Sequence, residues 1–306
     1  MLQKVQEIAG DIAAGVIVGR LAPGDHVPAV RALAQQVGCS PGTAARAHTI
    51  LREAGVITGL PRSQAVVTAD GVAAALVMSA RVGTVRLSGS DDPALDLLLS
   101  AVGPTVERAV GGRGSVAGLG LLAQGTVDAA AVHLRDAQTG RSNDTFARRV
   151  LGGEPAMLVH LWSREQGIVV PKGNPLGIGG VEDLAGTRLA WRPPGTGSRL
   201  LLSRLLRDAA VAPHPEGELC DSHLGVAVAV ATGAVDAGLA VRAVAEAVDA
   251  DFVPVEWEDF ELAVGPESMG LLVPILDVLA ATAVQDRVSG IAGYDLRRSG
   301  ESRLAA

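Results

Sequence analysis

The chain has 306 residues, 48% of them apolar and 19% charged, with a mean hydropathy of +0.32. That length and apolar content predict about two domains with sizeable cores and exclude a disordered chain. Net charge is −7. Residues 1–70 hold six basic side chains (Lys4, Arg20, Arg31, Arg46, Arg52, Arg62) against five acidic ones (Glu7, Asp11, Asp25, Glu53, Asp70), a balance of +1, so the remainder carries −8 and only the front end offers nucleic acid a docking surface.

In chain order, Glu7 and Asp11 interrupt the first helical pattern, so no export signal is expected there. After Pro28, the spacing of Val30, Leu33, Ala34 and Val37 predicts a short helix with one apolar face, stopped by Gly38. Ser40 is placed to cap a second helix, with Pro41 in its first turn and an apolar face of Ala44, Ala47, Ile50 and Leu51 running to Gly55. Two helices joined by so tight a turn cross steeply, and the start of the second can enter a major groove with Thr43 and Arg46 pointing outward. An ordinary helical hairpin within a core fits the same spacing. Residues 68–82 read as a linker or short bridging helix.

Beyond residue 80, β-rich runs alternate with helical patterns: VRLSGS, a helix from about Pro93, VDAAAVHL, AMLVHLWSREQGIVV, RLAW and a helix from Ser198. That alternation predicts parallel α/β structure, and the absence of a fixed period excludes a solenoid. The longest apolar run, Leu224 to Val235, falls short of the roughly 20 residues of a membrane span. Cys39 and Cys220 lack zinc-site spacing and are expected to be small buried residues.

Three segments place hydroxyls and glycines directly before a helix: Ser88-Gly89-Ser90, Gly114-Ser115, and Gly195-Thr196-Gly197-Ser198. Free N–H groups, the positive end of the helix dipole and a hydroxyl donor together suit an oxyanion, although each segment alone is also an ordinary cap. Arg192, Arg199, His133, Arg164 and His223 could add donors; a core histidine, a helix cap and a surface arginine are the alternatives. Asp91 and Asp92 would repel an anion at the same N–H groups unless they face solvent or take a ligand amine. Glu256, Glu258 and Asp259, around Trp257, put two carboxylates at alternate positions as acid–base work would need, and a solvated strand edge is the alternative favoured here. No Ser/His/Asp order, P-loop or HExxH pattern supports catalysis, so no enzyme is expected.

The stretch GRLAPGDHVPAVRALAQQVGCSPGTAARAHTILREAGVITG, Gly19 to Gly59, resembles the DNA-binding domain of the GntR family of winged helix-turn-helix regulators. The resemblance implies that Arg31 and Arg46 reach DNA, that Ser40 and Thr43 hold phosphates or base edges, and that residues 59–67 form the wing, with Arg62 near its tip. Many relatives carry a basic residue where Pro41 stands and a glycine-rich tip where this chain has Leu60-Pro61-Arg62-Ser63-Gln64. For each arginine a solvated helix face, or an ion pair with Glu53 or Asp25, is the alternative. Relatives fused to an aminotransferase-like domain need a Schiff-base lysine and a longer chain, which this sequence, with only Lys4 and Lys172, does not match.

The segments SGSDDPALDLL, GSVAGLGLLAQGTVDAAAVHL, WSREQGIVVPKGNP, RPPGTGSRLLLSRLL, DSHLGVAVAVATGAVDAGLAV and IAGYD resemble the periplasmic-binding-protein-like domain related to molybdate-binding proteins. The fold implied is α/β: an N-terminal winged helix-turn-helix (1–70), a linker (71–83) and a two-lobed, type II binding-protein-like domain (84–306) whose second lobe spans roughly 165–262. The crossings are expected at Trp162 to Val170 and near Leu262 to Met269. Ser88, Ser90, Ser115, His133, Arg164, Arg192, Thr196, Gly197, Ser198 and His223 are the expected ligand residues. The expectation is a cytoplasmic homodimer that binds operator DNA, uses no cofactor and senses a small anion, with molybdate or tungstate leading. A small organic metabolite, or a rear domain serving only as a dimerisation scaffold, is the alternative.

Overall fold

The computed structural model describes residues 2–59, 64–79, 83–136, 140, 142–153 and 156–305. Val5, Ile8, Ala9, Ile12, Ala13 and Val16 recur at three- and four-residue spacing and form the buried face of α1 (Leu2–Ile17). Two helices follow, α2 (Val30–Gln36) and α3 (Pro41–Glu53), with Leu33, Ala34, Ala44, Ala47 and Leu51 buried. Their junction is built by local chemistry. Gly38 takes φ +62°, and Ser40 Oγ accepts from the Thr43 N–H at 3.1 Å as Pro41 opens α3. β1 (Ile57–Thr58) and β2 (Val66–Val67) pair antiparallel with Ile57 opposite Val67, making the base of a wing. The tip at 60–63, with Arg62, lies outside the described residues.

The 71–83 stretch contains a packed helix, α4 (Gly71–Ser79), rather than a free linker. α4 lies against α1 on one side and a 3-10 helix, Pro266–Leu272, on the other. One apolar cluster runs without a break from Val5, Ile8 and Leu51 in the front domain to Leu87, Leu98, Leu272 and Ile275 behind it.

The first lobe begins with β3 (Val85–Gly89), α5 (Pro93–Val102), β4 (Val106–Arg113), α6 (Ser115–Ala123), β5 (Ala129–Val132) and α7 (Asp144–Val150). A 14-residue strand, β6 (Met157–Val170), then crosses to the second lobe: β7 (Leu189–Trp191), α8 (Gly197–Asp208), β8 (Glu218–Leu219), α9 (His223–Ala231), β9 (Ala237–Val241) and α10 (Arg242–Ala247). The chain returns through β10 (Asp251–Val264), also 14 residues. The expected return near 262–269 is thus corrected: the crossing starts at Asp251, and 266–272 forms the 3-10 helix. The run VPVEWEDFEL is the crossing itself, paired along its length with β6. The chain closes with α11 (Val273–Ala280), α12 (Thr282–Ser289), β11 (Tyr294–Asp295) and β12 (Ser302–Leu304), the last two pairing with β6.

The strand order is β4-β3-β5-β10-β6-β9-β7-β8. Each lobe therefore holds three parallel strands flanked by one antiparallel crossing strand. Separate apolar clusters lie in the second lobe, one around Val226 and Val230 and the other around Leu202 and Leu239. No single helix among the described residues is long and apolar enough to cross a membrane.

Candidate functional site

On the front domain, the exposed face of α3 presents Pro41, Gly42, Ala45, Arg46 and Thr49, and Arg31 is exposed on α2. Ser40 and Thr43 sit at the start of α3, but their hydroxyls bond each other at 2.8 Å. Thr43 is 9% exposed, so the expectation that it points outward is corrected. Its backbone N–H serves the cap, and its side chain folds back onto Ser40. Arg46 remains the long cationic side chain on the face that would approach a groove.

The second site lies where the lobes meet. α5 and α6 of the first lobe, and α8 and α9 of the second, all begin at the carboxyl ends of parallel strands, the edge where open α/β sheets hold ligands. The lobes are in contact. Arg192 Nη2 donates to Asp91 Oδ1 at 2.5 Å, the His223 N–H donates to Asp91 Oδ2 at 3.2 Å, and the Val116 N–H donates to the Gly195 carbonyl at 3.4 Å. Gly197 admits this approach, because a Cβ there would stand 2.5 Å from the His133 carbonyl oxygen.

Beneath this seam lies a buried ionic cluster. Arg164, on β6, is fully buried; its Nε donates to Glu258 Oε1 at 2.8 Å and its Nη1 to Asp92 Oδ2 at 2.5 Å, with the guanidinium 4.5 Å over the Phe260 ring. Gln166 Nε2 donates to the same Glu258 oxygen at 2.8 Å, His133 Nδ1 lies 3.0 Å from it, and Tyr294 Oη donates to Asp92 Oδ2 at 2.7 Å. Burial pushes the Glu258 carboxyl up, but His133 and Arg164 outweigh it and hold it down to about 2. Asp91 is likewise raised by burial and brought far below the carboxylate range by Arg192 and by the His223 N–H that donates to it. Burial, helped by Arg164 and Arg192 and opposed by Asp91, lowers His223 well below 6.5, so its ring is neutral. Three carboxylates thus face two guanidinium groups.

Several expected residues have other duties. The Ser88 hydroxyl donates to the Gly112 carbonyl at 3.1 Å, within the first lobe. The α5 start is not an open anion site either, because Asp92 caps it, accepting from the Ala94 and Leu95 N–H groups at 2.8 and 3.0 Å. Thr196 donates to the Pro193 carbonyl at 2.9 Å and caps α8. Ser90 and Ser115 share one hydrogen bond of 2.7 Å, which leaves one of their two hydroxyl hydrogens free. Ser198 Oγ accepts from Gln166 Nε2 at 3.3 Å and keeps its own hydrogen. Arg199, outside the cluster, stacks 4.0 Å over Trp191.

Glu258, read from sequence as a solvated edge residue, is 7% exposed and central to the cluster. Gln166 and Tyr294 were not singled out; the alternation of Trp162, Arg164 and Gln166 along β6 is the signal that could have found Gln166. Among the described residues, the buried Arg164 Nη2, Arg192 Nε, His223 Nδ1 and Gln166 Oε1 of this seam have no hydrogen-bond partner. Buried polar atoms are normally bonded, whether to protein, to ordered water or to a ligand.

A front domain with an exposed-arginine helix on a tight turn, joined through a shared core to a two-lobed domain with a polar seam, defines a DNA-binding module coupled to a binding-protein fold. Residues 4–67 match the family of bacterial regulatory proteins, gntR family, and residues 98–273, more than half of the chain, match the PBP superfamily domain. The protein belongs to the PBP superfamily and carries a gntR-family domain ahead of it. It is 32% identical over 194 residues to the uncharacterized protein YvgK of Bacillus subtilis (strain 168), a match spanning 62% of this chain and 63% of that protein. Among solved structures it is similar to an ancestral arginine-binding protein bound to arginine, with 20% identity, 69% of this chain and 99% of that chain covered and a TM-score of 0.47. It is also similar to PhnD1 from Prochlorococcus marinus (MIT 9301) in complex with methylphosphonate, with 13% identity, 70% and 94% covered and a TM-score of 0.48.

Proposed function

We propose that the protein is a cytoplasmic, ligand-responsive DNA-binding regulator whose effector is held between the lobes. The observation that carries this reading is the set of unpartnered buried atoms in the seam, Arg164 Nη2, Arg192 Nε, His223 Nδ1 and Gln166 Oε1. Two are guanidinium donors suited to a carboxylate or other anionic group. Gln166 Oε1 and the Asp91 carboxylate are acceptors suited to an ammonium or amide. The effector that satisfies both sets is a small organic zwitterion, whose anionic end takes Arg192 and whose cationic end takes Asp91. Exchanging the Asp91–Arg192 pair for such a molecule leaves no buried charge without a counter-charge, the case that costs most. A bare oxyanion such as molybdate or tungstate instead meets Asp91, Asp92 and Glu258 with nothing to offer them.

Effector binding shifts the balance of open and closed lobes by its differential affinity for them. The shift has a physical route to DNA: β10 runs straight into the 3-10 helix that packs on α4, and α4 packs on α1. In a homodimer, that motion would alter the separation of two recognition helices, which half-sites about 34 Å apart require to be set closely.

The test is calorimetric titration of the ligand-stripped protein with α-amino acids, dicarboxylates, molybdate, tungstate, sulfate and phosphate. One equivalent of a zwitterion binding, and weakening in Asp91→Asn and in Arg192→Ala, supports the reading. Selective tight binding of a bare oxyanion, with no response to any zwitterion, replaces it.

A further inference from the structure

A second polar cluster lies away from the seam, where the crossing strands enter the first lobe. We propose that His160, Asp259 and Glu261 form a binding site for a divalent first-row transition metal ion.

The backbone brings them together. His160 on β6 stands opposite Glu261 on β10, and an irregularity in the ladder between Phe260 and Glu261 puts Asp259 opposite Ser163. One ligand atom from each residue lies within 4.8 Å of the others, and His160 Nδ1 is 3.8 Å from both Asp259 Oδ1 and Glu261 Oε1. At 3.8 Å these contacts are too long to be hydrogen bonds. They are only slightly wider than the edge of about 3.4 Å between ligands of a tetrahedral ion with bonds of ~2.1 Å.

The bonding inventory points to a ligand. His160 and Glu261 are each 1% exposed, yet His160 Nδ1, His160 Nε2 and Glu261 Oε1 have no hydrogen-bond partner among the described residues. One cation among the three residues satisfies both Nδ1 and Oε1, leaving the proton on Nε2. Hydrogen bonds orient the carboxylates, as they usually do for metal ligands: the remaining oxygen of Glu261, Oε2, accepts from Asn143 Nδ2 at 2.7 Å and Arg303 Nη2 at 2.9 Å, and Asp259 Oδ1, itself the candidate ligand atom, accepts from Ser163 Oγ at 3.0 Å. The guanidinium groups do not pre-empt the site, because each is divided between two carboxylates: Arg303 between Glu261 and Asp144, Arg298 between Asp259 and Glu301. A surface pocket of about 300 Å³, lined by Ser163, Asp295, Arg297 and Arg298, lies beside the cluster, and two of its lining residues, Ser163 and Arg298, contact Asp259. One imidazole with two carboxylates suits zinc, iron(II) or manganese rather than a thiolate-seeking ion.

The experiment uses full-length protein stripped with EDTA and titrated with Zn²⁺ by calorimetry and with Co²⁺ by visible absorption. One equivalent per chain is expected, with a cobalt ligand-field band. Asp259→Asn, a change at a partly exposed position, and His160→Gln should each weaken affinity at least ~10-fold while circular dichroism stays native. The proposal is overturned if the wild-type protein shows no saturable one-equivalent binding, or if natively folded Asp259→Asn binds as tightly as wild type.

Discussion

Gly197→Ala probes the seam through sterics alone. Gly197 opens α8 in the second lobe, and a methyl there would place its Cβ 2.4 Å from His133 Cε1 and 2.5 Å from both His133 Nδ1 and the His133 carbonyl oxygen, in the first lobe. Rotating the imidazole relieves two of these contacts but not the carbonyl. The lobes must therefore part by about 1 Å at this point to restore ordinary van der Waals separation. Overpacking of this kind costs about 1–3 kcal/mol, which lowers the closed-to-open ratio by roughly 5- to 150-fold. The Asp91–Arg192 bond and the Val116 to Gly195 bond span the same gap and would be lost with it. Because Gly197 does not use left-handed backbone space, alanine leaves the helix start itself unstrained. Small-angle scattering should show a larger radius of gyration than wild type, and effector affinity should fall by ~5-fold or more as the closed form becomes rarer. Unchanged scattering together with unchanged affinity would refute the closed-seam account.

Three further outcomes are expected. Arg46→Ala should weaken operator binding at least several-fold and lower its salt dependence, leaving effector affinity as in wild type, measured by fluorescence anisotropy and calorimetry. Ser40→Ala removes the α3 cap and should cost about 1 kcal/mol in urea unfolding of the full chain. Stability should fall with acid in two stages. His223, held neutral in the fold, is protonated only on unfolding as pH drops below its ordinary 6.5. Glu258, held down to about 2, contributes fully above its ordinary 4.5, and that contribution is lost as pH falls from there toward 2. The second stage is worth about 3 kcal/mol at ~1.4 kcal/mol per unit, and urea midpoints at pH 7, 5 and 3 should show it in wild type and less of it in Glu258→Gln.

The elements set by local chemistry were legible in the sequence. Ser40, Pro41 and Gly38 dictate where α2 ends and α3 starts, and the glycine and hydroxyl residues at 195–198 mark the start of α8. What escaped was set by long-range pairing. Glu258 looks like one of several charges around Trp257, and only the pairing of β10 with β6 turns it inward onto Arg164. Thr43 is buried, with its hydroxyl turned back onto Ser40, which spacing alone leaves open. The Ser-Gly-Ser stretch before α5 reads as an anion cradle, yet Asp92, two residues further on, takes the helix N–H groups for itself. The His160 cluster joins residues a hundred positions apart across a ladder irregularity, which no local pattern announces.

The central claim is that occupancy of the seam changes the affinity of the α3 face for DNA. The most direct measurement is the affinity of the full-length protein for an operator selected from random sequence, with and without the zwitterion identified by calorimetry, in wild type and in Gly197→Ala. The account predicts at least a ~5-fold change in wild-type operator affinity, the lower end of ordinary allosteric coupling, and a much smaller change in Gly197→Ala. Equal operator affinity with and without a ligand that demonstrably binds the seam would contradict it.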